Sequence, residues 1–300
     1  MAGNNSQILE QKIAALIEAE GLPPEFGRTV DRFYVPLANH LVDVHRAQAS
    51  SPLVVGINGA QGSGKSTLTL FLKLLLETDD ELSVGVVSLD DLYLTRAARA
   101  VLAQTQHPLL KTRGVPGTHD VELGIRILEQ LAAGRADGCG VPTFDKATDD
   151  RKPETEWSHI DGPVDIVLLE GWCVGARPQT SADLETPVNA LEQNQDPDGA
   201  WRRYVNAQLA GRYADLFAKL DHLVMVKVPD FECVEAFRTL QESKLREKGD
   251  GIGLMDAAAI KHFIMHYERL TRHMLAEMPD RADVVLELNE HHKLVEMTIR

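Results

Sequence analysis

The sequence predicts an α/β fold built on a five-stranded parallel sheet with helices on both faces, and three observations carry that prediction. Five short apolar runs recur at residues 53–57, 84–89, 164–169, 222–228 and 284–288. Stretches with helical spacing separate several of them, including Leu68, Phe71, Leu72 and Leu75, and later Ile260, Phe263, Ile264, Tyr267, Leu270 and Met274. A glycine-rich segment joins the first run to the first of these helices.

The runs are near-continuous in Val, Leu and Ile instead of alternating with polar residues, as a parallel strand covered on both sides requires. Strands separated by helices imply βαβ units. Upstream, Leu9, Ile13, Leu16 and Ile17 repeat at helical spacing. So do Val30, Phe33, Tyr34, Leu37, Leu41 and Val44, with Pro36 expected to kink or restart the second helix. A motif-free amphipathic prefix reads as scaffold, so residues 1–50 are expected to form a helical N-terminal extension and residues 51–300 one domain. Residues 177–199, rich in Pro, Asp, Asn, Gln and Thr without a period, read as a long surface excursion after the third strand. Residues 249–253, with three glycines, read as a mobile stretch.

At 300 residues, 44% hydrophobic and 25% charged, the chain can bury a substantial core. Its formal net charge of −14, with no basic stripe, argues against a nucleic-acid partner. An anionic ligand would need a local cluster of cations. Cys139, Cys173 and Cys233 lie far apart with no CxxC pair, so neither a disulfide framework nor a zinc site is indicated. No apolar run approaches the roughly 20 residues of a membrane span, and residues 1–6 lack the start of a signal peptide, so a cytoplasmic location without membrane association is expected.

The segment Gly59, Ala60, Gln61, Gly62, Ser63, Gly64, Lys65, Ser66 satisfies GxxxxGK[ST] between a strand and a helix opening near Thr67. Its glycines let backbone N–H groups turn toward phosphate oxygens, the helix N-terminus adds positive potential, and Lys65 reaches the β- and γ-phosphates of a bound nucleotide. Ser66 is the expected Mg²⁺ ligand. The motif establishes nucleotide binding, while other residues must decide the reaction.

Two carboxylates at strand ends bear on that decision. Asp90, in Ser88-Leu89-Asp90-Asp91-Leu92-Tyr93, can accept the proton of an acceptor hydroxyl or orient it toward the γ-phosphate. Glu170, after the third run, occupies the position from which an acid reaches Mg²⁺. The next residue is Gly171, where a mechanical ATPase would carry a second acid, and this favours transfer to an acceptor over hydrolysis. Between the second and third strands lie Lys111, Arg113, His119, Lys146, Arg151 and Lys152, the cationic cluster that an acidic small molecule demands. Asp120 either joins that site or caps the following helix. After the fourth strand, Arg238, Gln241, Lys244 and Arg246 ride a helix that reads as a lid over phosphates.

These residues together resemble the plant-type D-glycerate 3-kinases and their bacterial and fungal relatives, within the group of P-loop kinases that includes uridine kinase, phosphoribulokinase and bacterial pantothenate kinase. The resemblance runs from about Pro52 to the C-terminus. Its diagnostic pieces are residues 88–95, Arg113-Gly114 with Gly117-Thr118-His119-Asp120, Phe144-Asp145-Lys146 and Glu170-Gly171-Trp172. It implies a P-loop NTPase-type three-layer fold, Mg-ATP as donor and phosphorylation of the glycerate 3-hydroxyl, with Asp90 near that hydroxyl. Tyr93, Arg113, His119, Asp120, Asp145, Lys146 and Arg151 are the expected acceptor-binding residues. Arg238, Glu242 and Arg246 are placed on the lid helix, with Arg238 over ATP. A nucleoside- or pantothenate-type kinase and a regulatory ATP-binding protein are the competing readings. The first would favour aromatic stacking around its acceptor, and the second has no need of both Asp90 and Glu170.

Overall fold

The structure, a computed structural model, describes residues 2–48, 52–135, 137–247 and 256–300. Its centre is a six-stranded sheet of β1 (Leu53–Gly59), β2 (Val84–Ser88), β3 (Ile166–Gly171), β4 (His222–Lys227), β5 (Val284–Leu288) and β6 (Leu294–Ile299). The order is β6-β5-β4-β1-β3-β2. Strands β1 to β5 run parallel, so all five apolar runs become strands of one parallel sheet. Strand β6 pairs antiparallel with β5 at the edge. It escapes sequence detection because its residues are half-buried or exposed, leaving no continuous apolar run.

Alternation along the strands divides the core between two faces. On one, Leu53, Val55 and Ile57 of β1 pack with Leu68, Phe71 and Leu72 of the helix Lys65–Thr78. The N-terminal helices Ala2–Ala19 and Val35–Ala47 close over the same face, where Phe26, Tyr34 and Phe71 meet with ring centroids 5.6 to 5.9 Å apart. Pro36 sits in the first turn of Val35–Ala47, just after a π-helical turn at Val30–Tyr34, so the second helix restarts there. On the other face, Val54, Val167 and Leu169 pack with the helix Val121–Ala132 and with Tyr213 and Leu216. Among the described residues no helix is long and apolar enough to cross a membrane.

Residues 177–199 lie mostly on the surface, as expected, but carry short elements and buried anchors. They contain a 3-10 turn at Ala182–Leu184 and a short helix at Ala190–Gln195. Glu192 and Asp196 are fully buried, the first paired with Arg269 and the second with Arg202. Buried carboxylates persist here because each meets a guanidinium and further hydrogen bonds. Both arginines come from helices later in the chain, and a six-residue helix is too short to show a period, so nothing local announces the arrangement.

Candidate active site

Strand order decides which chemistry meets. Because β3 lies between β1 and β2, Glu170 is flanked in register by Ile57 on one side and Ser88 on the other. The P-loop leaves β1, Glu170 ends β3, and Asp90 follows β2, so the three converge at the carboxyl edge of the sheet, where open α/β folds collect their ligands.

The loop from Gly59 to Ser66 feeds directly into the helix Lys65–Thr78. Gly62 and Gly64 have φ of 75° and 88°, a conformation that exposes successive N–H groups on one concave side. Gly62 has a second reason to lack a side chain, since a Cβ there would lie 2.8 Å from the backbone of Phe237 in the helix Glu232–Glu247. His292, from the β5–β6 turn, donates through Nε2 to the Gly62 carbonyl at 2.6 Å and stacks edge-on against Phe237 at 4.5 Å. The phosphate loop is thereby braced by two distant segments.

Ser66 Oγ lies 3.5 Å from Glu170 Oε2, while Glu170 Oε1 accepts a hydrogen bond from Ser88 Oγ at 2.6 Å. One hydroxyl and one carboxylate oxygen facing each other suit a hard divalent cation that keeps waters and phosphate oxygens in its remaining positions. No three His, Cys, Asp or Glu side chains gather into a metal cage among the described residues. Gly171 is closed to a second acid, since a Cβ there would stand 2.6 Å from the Leu89 Cβ.

Asp90 and Asp91 share a 3-10 turn at Leu89–Leu92 yet face different tasks. Asp90, 28% exposed, accepts from Tyr93 Oη at 3.0 Å and from Lys146 Nζ at 3.0 Å. Burial raises its pKa, but the charges of Lys146 and Lys65 and the two hydrogen bonds outweigh burial and hold the carboxyl well below the usual range. Asp91 instead accepts from the backbone N–H of Phe144 at 2.9 Å, and burial raises its pKa. It ties the hairpin carrying Lys146 to the end of β2.

The expected acceptor-binding residues separate into two groups. Tyr93 and Lys146 touch Asp90, and His119 and Arg113 stand one contact further out, behind Tyr93 and Phe144. Tyr93 stacks on His119 at 4.6 Å and meets Phe144 edge-on, and the Arg113 guanidinium lies 5.4 Å above the Phe144 ring. Arg113 also pairs with Asp149, which in turn pairs with the buried Arg99 at 3.0 Å. Asp120, Asp145 and Arg151 hold the loops together. Asp120 caps the helix Val121–Ala132 through Leu123 N–H at 3.1 Å and pairs with Arg151 at 3.1 Å. Arg151 also donates to the carbonyls of Leu92 and Tyr93. Asp145 closes its own turn on Ala147 N–H and Thr148 Oγ1, both at 2.9 Å. Lys111 is exposed and Lys152 pairs with Glu156 at 3.7 Å.

On the helix expected to act as a lid, Arg238 lies 5.9 Å from the Phe263 ring. The side chains of Gln241, Glu242, Lys244 and Arg246, and residues 249–253, fall outside the described residues. Sequence reasoning missed Ser88, which its place at the end of β2 could have flagged. It also missed Asp149, Tyr213 and His292, which carry no local signal.

No family model matches the chain. It is 35% identical over 224 residues to the uncharacterized kinase mug58 of Schizosaccharomyces pombe, covering 72% of this chain and 78% of that one. It is 30% identical over 243 residues to the chloroplastic D-glycerate 3-kinase of Arabidopsis thaliana, covering 77% of this chain; the match spans half the length of the plant protein. Among solved structures, a D-glycerate 3-kinase from Cryptococcus neoformans superposes with a TM-score of 0.75 at 26% identity, covering 89% of this chain and 97% of that one.

Proposed function

The chain belongs to the D-glycerate 3-kinase family of P-loop kinases, and we propose that it transfers the γ-phosphoryl group of ATP to a hydroxyl of a small hydroxy acid, D-glycerate being converted to 3-phosphoglycerate. The observation that carries this reading is the convergence of the P-loop, Glu170 and the ionised Asp90 at adjacent strand ends, with Lys146 paired to Asp90 and Arg113 over the nearby Phe144 ring.

In this reading the P-loop N–H groups and Lys65 hold the triphosphate and offset charge on the transferred group. Ser66 and Glu170 would hold Mg²⁺, which when bound neutralises charge on the β- and γ-phosphate oxygens. Asp90 receives the acceptor hydroxyl and aims its oxygen at the γ-phosphorus. As that O–P bond forms, the bond from phosphorus to the β–γ bridging oxygen breaks, ADP departs, and the hydroxyl proton leaves by way of Asp90. A carboxylate with so low a pKa is a weak base, so its larger contribution is orientation, which a loose phosphoryl-transfer transition state tolerates. Arg113 recognises the acceptor carboxylate, for which a planar fork is suited. Lys146, 64% exposed, can reach the same anion.

The test is ADP release by purified protein with Mg-ATP and a panel of hydroxy acids, sugars, nucleosides and pantothenate. D-Glycerate should support turnover and yield 3-phosphoglycerate. Turnover with a nucleoside or pantothenate alone would replace the substrate reading, and no acceptor-dependent turnover would favour a regulatory nucleotide-binding role.

A further inference from the structure

His119 is 4% exposed and carries a polar atom that the protein leaves unsatisfied: its Nε2 is buried with no hydrogen-bond partner among the described residues. Its other ring nitrogen, Nδ1, lies 2.6 Å from Tyr213 Oη. Tyr213 is itself 1% exposed, and its oxygen accepts a hydrogen bond from Gly117 N–H at 2.9 Å. A buried phenol whose oxygen already accepts from a peptide N–H needs an acceptor for its own proton, and the acceptor within reach is His119 Nδ1. Burial keeps the imidazole neutral, with a pKa near 3. A neutral ring that accepts at Nδ1 carries its proton on Nε2.

We propose that Tyr213 is a positioning residue that locks His119 in the Nε2–H tautomer, so that His119 presents a neutral donor to an acceptor-substrate oxygen adjacent to the hydroxyl held by Asp90. Tyr93 links the two positions, hydrogen-bonded to Asp90 at 3.0 Å and stacked on His119. A buried donor without an acceptor is destabilising until something supplies one. Arg113 and Lys146 are the groups suited to a carboxylate, whereas a neutral N–H in a dry site suits a hydroxyl oxygen. With D-glycerate as acceptor, one hydroxyl would rest on Asp90 and the neighbouring 2-hydroxyl on His119. This inference rests on the kinase reading above and deepens it.

Two measurements on the full chain test it. Long-range ¹H–¹⁵N NMR of histidine-labelled protein should show His119 as the Nε2–H tautomer, and in Tyr213→Phe the signal should move toward the Nδ1–H form. In kinetics with D-glycerate and 3-hydroxypropionate, which lacks the 2-hydroxyl, wild type should favour D-glycerate by about tenfold or more in kcat/KM. His119→Ala and Tyr213→Phe should lose most of that preference through the acceptor KM, with the ATP KM unchanged. His119→Gln, whose amide nitrogen can occupy the Nε2 position, should restore part of it. An Nδ1–H tautomer in wild type, or an undiminished preference in His119→Ala, overturns the proposal. Should Tyr213→Phe not fold, the wild-type spectrum and the two His119 variants still decide. If wild type phosphorylates neither acid, the kinase reading fails separately, and the spectrum still reports on the Tyr213 lock.

Discussion

Lys146 Nζ donates to Asp90 Oδ2 at 3.0 Å, so the acid that ends the second strand has a cation as its direct neighbour, carried there by a hairpin 56 residues later in the chain. Asp91, the next residue, faces the backbone N–H of Phe144 instead. The pair thus divides into one group held by Lys146 and Tyr93 and one that builds the loop.

Asp90→Asn should therefore lower kcat by about 10²- to 10⁴-fold while leaving ATP affinity nearly unchanged. Its low pKa points toward the smaller end, because a weak base would act mainly by orienting the hydroxyl. Asp91→Asn keeps an oxygen for Phe144 N–H and should cost far less. Turnover and ATP binding for both variants check this; an inactive Asp91→Asn with an active Asp90→Asn would reverse the roles.

Lys65→Ala and Ser66→Ala should each reduce phosphoryl transfer severely without unfolding the chain. Lys65 is half-buried and Ser66 exposed, so neither packs the core. Circular dichroism and turnover of the purified variants give the answer, and near-normal turnover in either would reject the assignment.

Glu170→Gln should damage Mg²⁺-dependent turnover more than nucleotide binding. The amide can still accept from Ser88 Oγ, so the strand end keeps its shape while the charge opposite Ser66 is lost. Activity titrated against Mg²⁺ should shift to higher metal concentration; an unchanged titration and rate would exclude the role.

Neutralising Arg113 should raise the acceptor KM by roughly 10- to 150-fold, the equivalent of a charged hydrogen bond worth about 1.5 to 3 kcal/mol, with little change in the ATP KM. Equal effects on both substrates would mark Arg113 as structural, through its pairing with Asp149.

Acid should destabilise the fold before most carboxylates titrate. Burial lowers the pKa of His119 to about 3 and of His266 to about 4, and both residues are nearly inaccessible. Below the unfolded value of about 6.5, the unfolded chain binds protons that the folded chain refuses. Stability from these groups is complete above pH 6.5 and falls as pH drops toward 4, by up to about 1.4 kcal/mol per pH unit for each histidine. Urea midpoints between pH 8 and 4.5 measure the slope. His119→Gln should remove one proton's share of it, and a flat profile would contradict the burial argument.

What the sequence determined by itself was local. The GxxxxGK[ST] segment needs only neighbouring residues to become a phosphate loop, the five apolar runs need only burial on both faces to become parallel strands, and Asp90 and Glu170 stand at strand ends by counting along the chain. Strand β6 and the helix Ala190–Gln195 were hidden because one is amphipathic at an edge and the other too short for a period. Tertiary structure alone decided which charged groups face the site and which serve the scaffold. Arg113 and Arg151 look alike in sequence, yet Arg151 is tied to Asp120 and two backbone carbonyls while Arg113 stands over Phe144, whose ring meets the Tyr93 that holds Asp90. Tyr213 finds His119 across 94 residues, and Glu170 meets Ser66 and Ser88 only because β3 inserts between β1 and β2. Strand order and side-chain partners are long-range properties: they depend on how whole helices and strands bury their apolar faces against one another, and a short window of sequence carries no record of that choice.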